Sequence, residues 1–122
     1  MRKLETIQTK ENLNYVFAAD EIGPGGANHK YHITLNNCED TANNVVVIQM
    51  QKGPRKEHDS ISGVIDSDLL EIVRDRLKSF QEGPFSSEYN EEALKGVEIA
   101  LNALNKRVED RIARNVLGEN KK

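Results

Sequence analysis

The stretch from Ser87 to Gly118 constrains the fold most, because it reads as one uninterrupted helix too long for a small core. Its apolar residues Leu94, Val97, Leu101, Leu104 and Val108 recur at spacings of three and four, which gathers them into a narrow heptad seam. A helix that begins near residues 87–90 and runs to about residue 116, with Gly118 placed to end it, spans about 40 Å at roughly 1.5 Å per residue. A chain of 122 residues fits one domain with a modest core, so much of this seam needs cover from elsewhere. The preceding segment supplies part of it. Asp66 or Ser67 can cap a helix with Leu69, Leu70, Val73, Leu77 and Phe80 on one side, and Gly83-Pro84 stops it. The spacing therefore predicts a helical hairpin over residues 66–122. Its leftover seam predicts packing against other copies in a closed, symmetric homo-oligomer. An isolated hairpin with a frayed end is the alternative.

Residues 1–65 follow a different pattern, with short β-branched or alternating runs broken by turn residues. Strands are expected over residues 15–19, 29–35 and 45–51, forming a small antiparallel sheet. In the second strand Tyr31, Ile33 and Leu35 share one face and His32 and Thr34 take the other, so the sheet is expected to be half buried. Gly23-Pro24-Gly25-Gly26 and Gly53-Pro54 supply the backbone angles that close these strands. The fold class is thus α+β: a β-rich core over residues 1–65, then a hairpin with one long helix, together one compact unit.

Charge and cysteine content remove several functions. The formal net charge is −3 and aromatic residues make up 5% of the chain, which does not suit a general DNA- or RNA-binding surface. The single cysteine, Cys38, has no internal disulfide partner and lies in Asn36-Asn37-Cys38-Glu39-Asp40, where acidic neighbours disfavour a thiolate nucleophile. No apolar run is long enough for a signal peptide or a membrane span. A cytoplasmic protein is expected.

Within this acidic chain Arg107, Arg111 and Arg114 form a local basic stripe on the long helix. Read functionally, it is a phosphate clamp, since the guanidinium fork matches phosphate oxygens and stacks on bases. Read structurally, it is a solvated helix face paired with Glu109 and Asp110. The glycine-rich segment over residues 23–31 is not a P-loop, because Lys30 leads into a strand and not into a helix bearing Ser or Thr. His29, His32 and His58 lack the spacing of a metal-ligand set, and no Gly-x-Ser-x-Gly elbow or convincing carboxylate pair is present. No catalytic residue, metal or cofactor is assigned.

The same segments carry a family resemblance. Gly23-Pro24-Gly25-Gly26-Ala27-Asn28-His29-Lys30-Tyr31 resembles the N-terminal signature of the phage Thoeris anti-defence proteins of the first type. Asp75-Arg76-Leu77 and Phe80-Gln81-Glu82-Gly83-Pro84-Phe85 resemble the family's approach to its hairpin. The long helix is similar through Asn90, Ala93-Leu94, Val97-Glu98, Ala100-Leu101, Leu104, Lys106-Arg107, Arg111 and Arg114. One departure is Glu88-Tyr89-Asn90, where the family often has Arg-Glu-Asn, and Glu88 is unfavourable toward phosphate.

The resemblance implies a homohexamer that binds and holds glycocyclic ADP-ribose, the nucleotide alarm of Thoeris immunity, without degrading it. Similar hairpins occur in phage sponges for the cyclic oligonucleotides of CBASS defence, and some family members take cyclic trinucleotides at separate sites. By resemblance Phe80 stacks on the adenine, Arg107 covers its other face and Asn90 bonds to polar ligand groups. Arg55, Asn28 and His29 face phosphates and riboses, and Arg111 belongs to the same ligand-binding set. Without the resemblance, Phe80 is a core aromatic closing the first helix. Two other classes stay open: a cyclic-nucleotide-degrading enzyme using His29 or His32, and an adaptor whose seam binds another helix.

Overall fold

The computed structural model describes residues 1–35 and 44–122; Cys38 and its neighbours lie outside the described residues. The chain divides into two units, Met1–Val64 and Ile65–Lys122. The first holds a four-stranded antiparallel sheet in sequence order, β1 (Arg2–Lys3), β2 (Tyr15–Ala18), β3 (Lys30–Thr34) and β4 (Val45–Gln49). The second holds two helices, α1 (Asp66–Glu82) and α2 (Glu88–Ala113). Among the described residues no helix is long and apolar enough to cross a membrane.

The strands are shorter than the β-branched runs that encode them, and their hydrogen-bond partners explain why. β3 begins at Lys30 and not at residue 29, because both oxygens of the Asp20 carboxylate accept the His29 N–H at 3.1 Å, one of them also taking the Lys30 N–H at 3.2 Å. β4 ends at Gln49, two residues short of the expected bound, because its partner changes. Met50 still donates to the His29 carbonyl at 2.7 Å, but Gln51 donates to Val64 and Val64 to Gln49, at 2.8 and 2.9 Å. A bridge between Lys52 and Ile61 follows. Gly63 lies against this crossover, and a Cβ there would overlap the backbone of Gln49 and Met50. Glycine is therefore required by close approach. At the other hairpin Gly25 and Gly26 both have φ of 77°, where a side chain is strained.

β1 is too short for any periodicity to reveal. It exists through long-range pairing of Arg2 with Ala18 and Lys3 with Phe17, and Leu4 donates to the Val16 carbonyl at 2.9 Å. Burial does not follow the expected alternation along β3. Tyr31, His32 and Ile33 are all half-buried and the polar Thr34 is the most covered, at 5% exposure. Val46 and Val47 point to opposite faces of β4 and both stay exposed, so neither face of this small sheet is sealed.

In the helical unit the cap of α1 is Ile65, one residue before the expected Asp66 or Ser67. The acid works from inside the first turn: Asp68 Oδ2 accepts the Ile65 N–H at 2.9 Å. Ser87 caps α2 in the ordinary way, its Oγ accepting the Asn90 N–H at 3.0 Å. The other end of α2 corrects the expected stop at Gly118. Asn115, at φ 57°, is the left-handed residue that ends the helix, with Val116 donating to the Arg111 carbonyl and Asn115 to that of Ile112, both at 2.9 Å. Asparagine tolerates this conformation better than other side chains.

α1 and α2 pack as an antiparallel hairpin joined by Arg74 Nε to Glu98 Oε2 at 2.9 Å. The seam residues Leu94, Val97, Leu101, Leu104 and Val108 are half-buried, and α1 has no fully buried residue. An open groove of about 580 Å³, bordered by Glu71, Arg74, Leu101, Leu104 and Val108, runs between the first half of α1 and the second half of α2.

Candidate functional site

The short connection between the helices concentrates polar geometry. Phe80 sits near the end of α1, 40% exposed, with the Arg76 guanidinium 5.3 Å from its ring centroid. The aromatic is thus presented at the surface of the hairpin and not closed into a core. Asn90, in the first turn of α2, donates from Nδ2 to the Phe85 carbonyl at 3.2 Å, and its Oδ1 has no partner among the described residues. Between them Gln81 bonds twice to the Ser87 backbone, accepting its N–H at 2.9 Å and donating to its carbonyl at 3.1 Å. An aromatic face and an amide oxygen therefore stand at one end of the hairpin, on a turn braced by side chains.

The arginines of the stripe separate by environment. Arg111 is buried at 6% exposure, and its Nη2 donates to the Val116 and Glu119 carbonyls at 3.0 and 2.9 Å, tying the following segment to α2. Arg114 pairs with Asp110 at 3.0 Å and also donates to the Lys122 carbonyl. Arg107 is exposed and has no hydrogen-bond or ion-pair partner among the described residues. It lies on the same uninterrupted helix as Asn90, about 25 Å further along at roughly 1.5 Å per residue. One hairpin does not bring Phe80, Asn90 and Arg107 around a small ligand.

The sheet unit holds the other three candidates. Asn28 uses both ends of its amide, accepting from Arg2 Nη2 at 2.8 Å and donating to the Asp20 carbonyl at 2.7 Å. His29 is buried, and its Nδ1, close to Gly23, is unpaired among the described residues. Asp20 organises this corner. Partial desolvation pushes its carboxyl up, but the backbone amides of His29 and Lys30 and the side chain of Asn28 together outweigh that and hold it below the ordinary aspartate range. Arg55 is exposed in a turn closed by Glu57 N–H to the Pro54 carbonyl at 2.9 Å.

Gln81 is the residue that periodicity passed over. It lies within the Phe80–Phe85 segment, but its reach to a backbone six residues on is a property of the turn. The available signal is an amide side chain just before Gly83-Pro84, followed by a capping serine at position 87.

Two comparisons bear on this geometry. Residues 42–109 match the family described as the Acb2/Tad1 hairpin domain, which takes in both helices up to Glu109. The chain is also 35% identical over 100 residues to the protein named Thoeris anti-defense 1 of Bacillus phage SBSphiJ7. That alignment covers 82% of the chain and 66% of the relative, so the chain spans a little under two thirds of the relative's length.

Proposed function

As the chain belongs to the Acb2/Tad1 hairpin-domain family, we propose that it is a phage anti-defence protein that sequesters a nucleotide immune signal and leaves it chemically intact. The signal is glycocyclic ADP-ribose of Thoeris immunity, bound in the cytoplasm of the host bacterium. The relationship to Thoeris anti-defense 1 supports the biological role. The observation that carries the mechanism is the presence of an exposed aromatic and an amide oxygen on the braced turn and of a guanidinium far along α2, the latter two without a partner among the described residues.

Those groups suit adenine stacking, polar recognition and a cationic cover over the base or phosphates. Sequestration needs tight binding and no general base or nucleophile. Because Arg107 is remote from Asn90 within one chain, the site is assembled between copies: Phe80 and Asn90 of one hairpin meet Arg107 of a neighbour running antiparallel. The half-buried seam supports such pairing, and a homohexamer is the assembly proposed. Arg55, Asn28 and His29 form a second group directed at phosphates and riboses, with Arg111 bracing the end of α2 behind Arg107. Cyclic trinucleotides of CBASS are a further ligand class, taken at separate sites.

The decisive experiment incubates stoichiometric glycocyclic ADP-ribose with the protein, measures the free pool, then heats the sample and measures it again by mass spectrometry. Sequestration removes the compound from the free pool and returns it unchanged. Accumulation of a linear product means a degrading enzyme, and an unaltered free pool together with no nucleotide-induced shift in Tm means an adaptor.

A further inference from the structure

Gln81 is the joint between the two helices. Its amide makes two hydrogen bonds to the backbone of one residue, accepting the Ser87 N–H and donating to the Ser87 carbonyl, side by side as in a strand ladder. Ser87 passes that constraint on, since its Oγ accepts the Asn90 N–H at 3.0 Å and so starts α2 at a set residue. On the other side Gln81 directly follows Phe80, whose carbonyl accepts the Gly83 N–H at 3.1 Å. The end of α1 and the beginning of α2 are therefore coupled by a chain of three side-chain hydrogen bonds, with Phe80 and Asn90 at its two ends. Gln81 is half-buried, which shields these bonds from competing water.

We propose that Gln81 is a positioning residue that acts through Ser87 to set the placement of Asn90 relative to Phe80 in the nucleotide site. Its importance for ligand rests on the sequestration reading; its control of the turn does not. The chemistry is specific to a carboxamide. A carboxylate at this position keeps the acceptor for the Ser87 N–H but opposes a lone pair to the Ser87 carbonyl, and protonation restores the missing donor. Alanine supplies neither.

The test compares wild-type protein with Gln81→Ala and Gln81→Glu by calorimetric titration with glycocyclic ADP-ribose from about pH 7.5 to about pH 4, through the ordinary glutamate value of about 4.3. Amide hydrogen exchange at Ser87 and Asn90 is followed in parallel on ligand-free protein. Glu82 and Glu88 flank the turn in all three proteins, so each variant is read against wild type at the same pH. Gln81→Ala is expected to weaken binding about tenfold or more at every pH and to speed exchange at both amides. Gln81→Glu is expected to be as weak at pH 7.5 and to recover affinity and protection as the pH falls. Wild-type affinity and protection in Gln81→Ala, or a Gln81→Glu variant that does not recover in either measurement, overturns the proposal. If wild-type protein binds no glycocyclic ADP-ribose, the sequestration reading fails, and the exchange pattern alone decides whether Gln81 sets the turn.

Discussion

Asn90 and Arg107 stand on one unbroken helix about 25 Å apart along its axis, at roughly 1.5 Å per residue, the first beside the hairpin turn and the second near the far end. If both serve one ligand, they do so from different chains, and mixing mutant chains tests this directly. Phe80→Ala and Arg107→Ala proteins are each expected to bind glycocyclic ADP-ribose more weakly, by on the order of 2–4 kcal/mol for the loss of the arginine. Co-refolded at equal amounts, they should regenerate wild-type affinity in about a quarter of the sites, wherever an intact Phe80 faces an intact Arg107. Co-assemblies that bind no better than either parent would rule out a shared site.

Assembly itself is checked through the seam. Leu101 is half-buried in the single chain and borders the open groove. Leu101→Asp would bury an unpaired charge wherever a second hairpin closes over it, and the particle should fall to a smaller species. Light scattering at micromolar concentration reads the mass of both proteins. A monomeric wild type, or an unchanged particle in Leu101→Asp, contradicts the proposed oligomer.

Asp20 makes the sheet unit acid-sensitive. Its folded pKa lies below the ordinary value of about 3.9, so its stabilisation is fully present above that value and is lost as the pH falls below it through the folded pKa. Wild-type unfolding by urea should weaken more steeply below about pH 4 than that of Asp20→Asn, which should be less stable near neutrality. Parallel profiles for the two proteins would show that the carboxylate is not the source.

Two glycines should respond in opposite directions. A methyl group at Gly63 meets the backbone of Gln49 and Met50, which cannot move aside without breaking the crossover to Val64. Gly63→Ala is expected to cost about 1–3 kcal/mol in denaturant unfolding. Gly96, inside α2, has open space at the corresponding position, and Gly96→Ala should gain about 0.5–1 kcal/mol from the lower backbone entropy of the unfolded chain. Equal effects at the two sites would contradict the close approach at Gly63.

The sequence by itself determined the elements whose causes lie within a few residues of one another. Leucine and valine spacing placed α1 and α2, Gly83-Pro84 and Ser87 set the turn between them, and the β-branched runs located three of the four strands among the described residues. The exposed Phe80 and Arg107 were legible as candidates, Phe80 through its place in a recognisable segment and Arg107 through its stripe. What only the tertiary structure decided depends on partners distant in sequence or on side chains turning back to the backbone. β1 forms because Ala18 and Phe17 lie opposite it, and β4 stops where Val64 takes over its hydrogen bonds. Arg111 leaves the stripe because the carbonyls of Val116 and Glu119 fold back onto its guanidinium, while Arg107 meets no such acceptor among the described residues. Gln81 bonds to Ser87 for the same reason: periodicity and backbone preference act locally, whereas a hydrogen-bond partner exists only once the turn has brought it within reach.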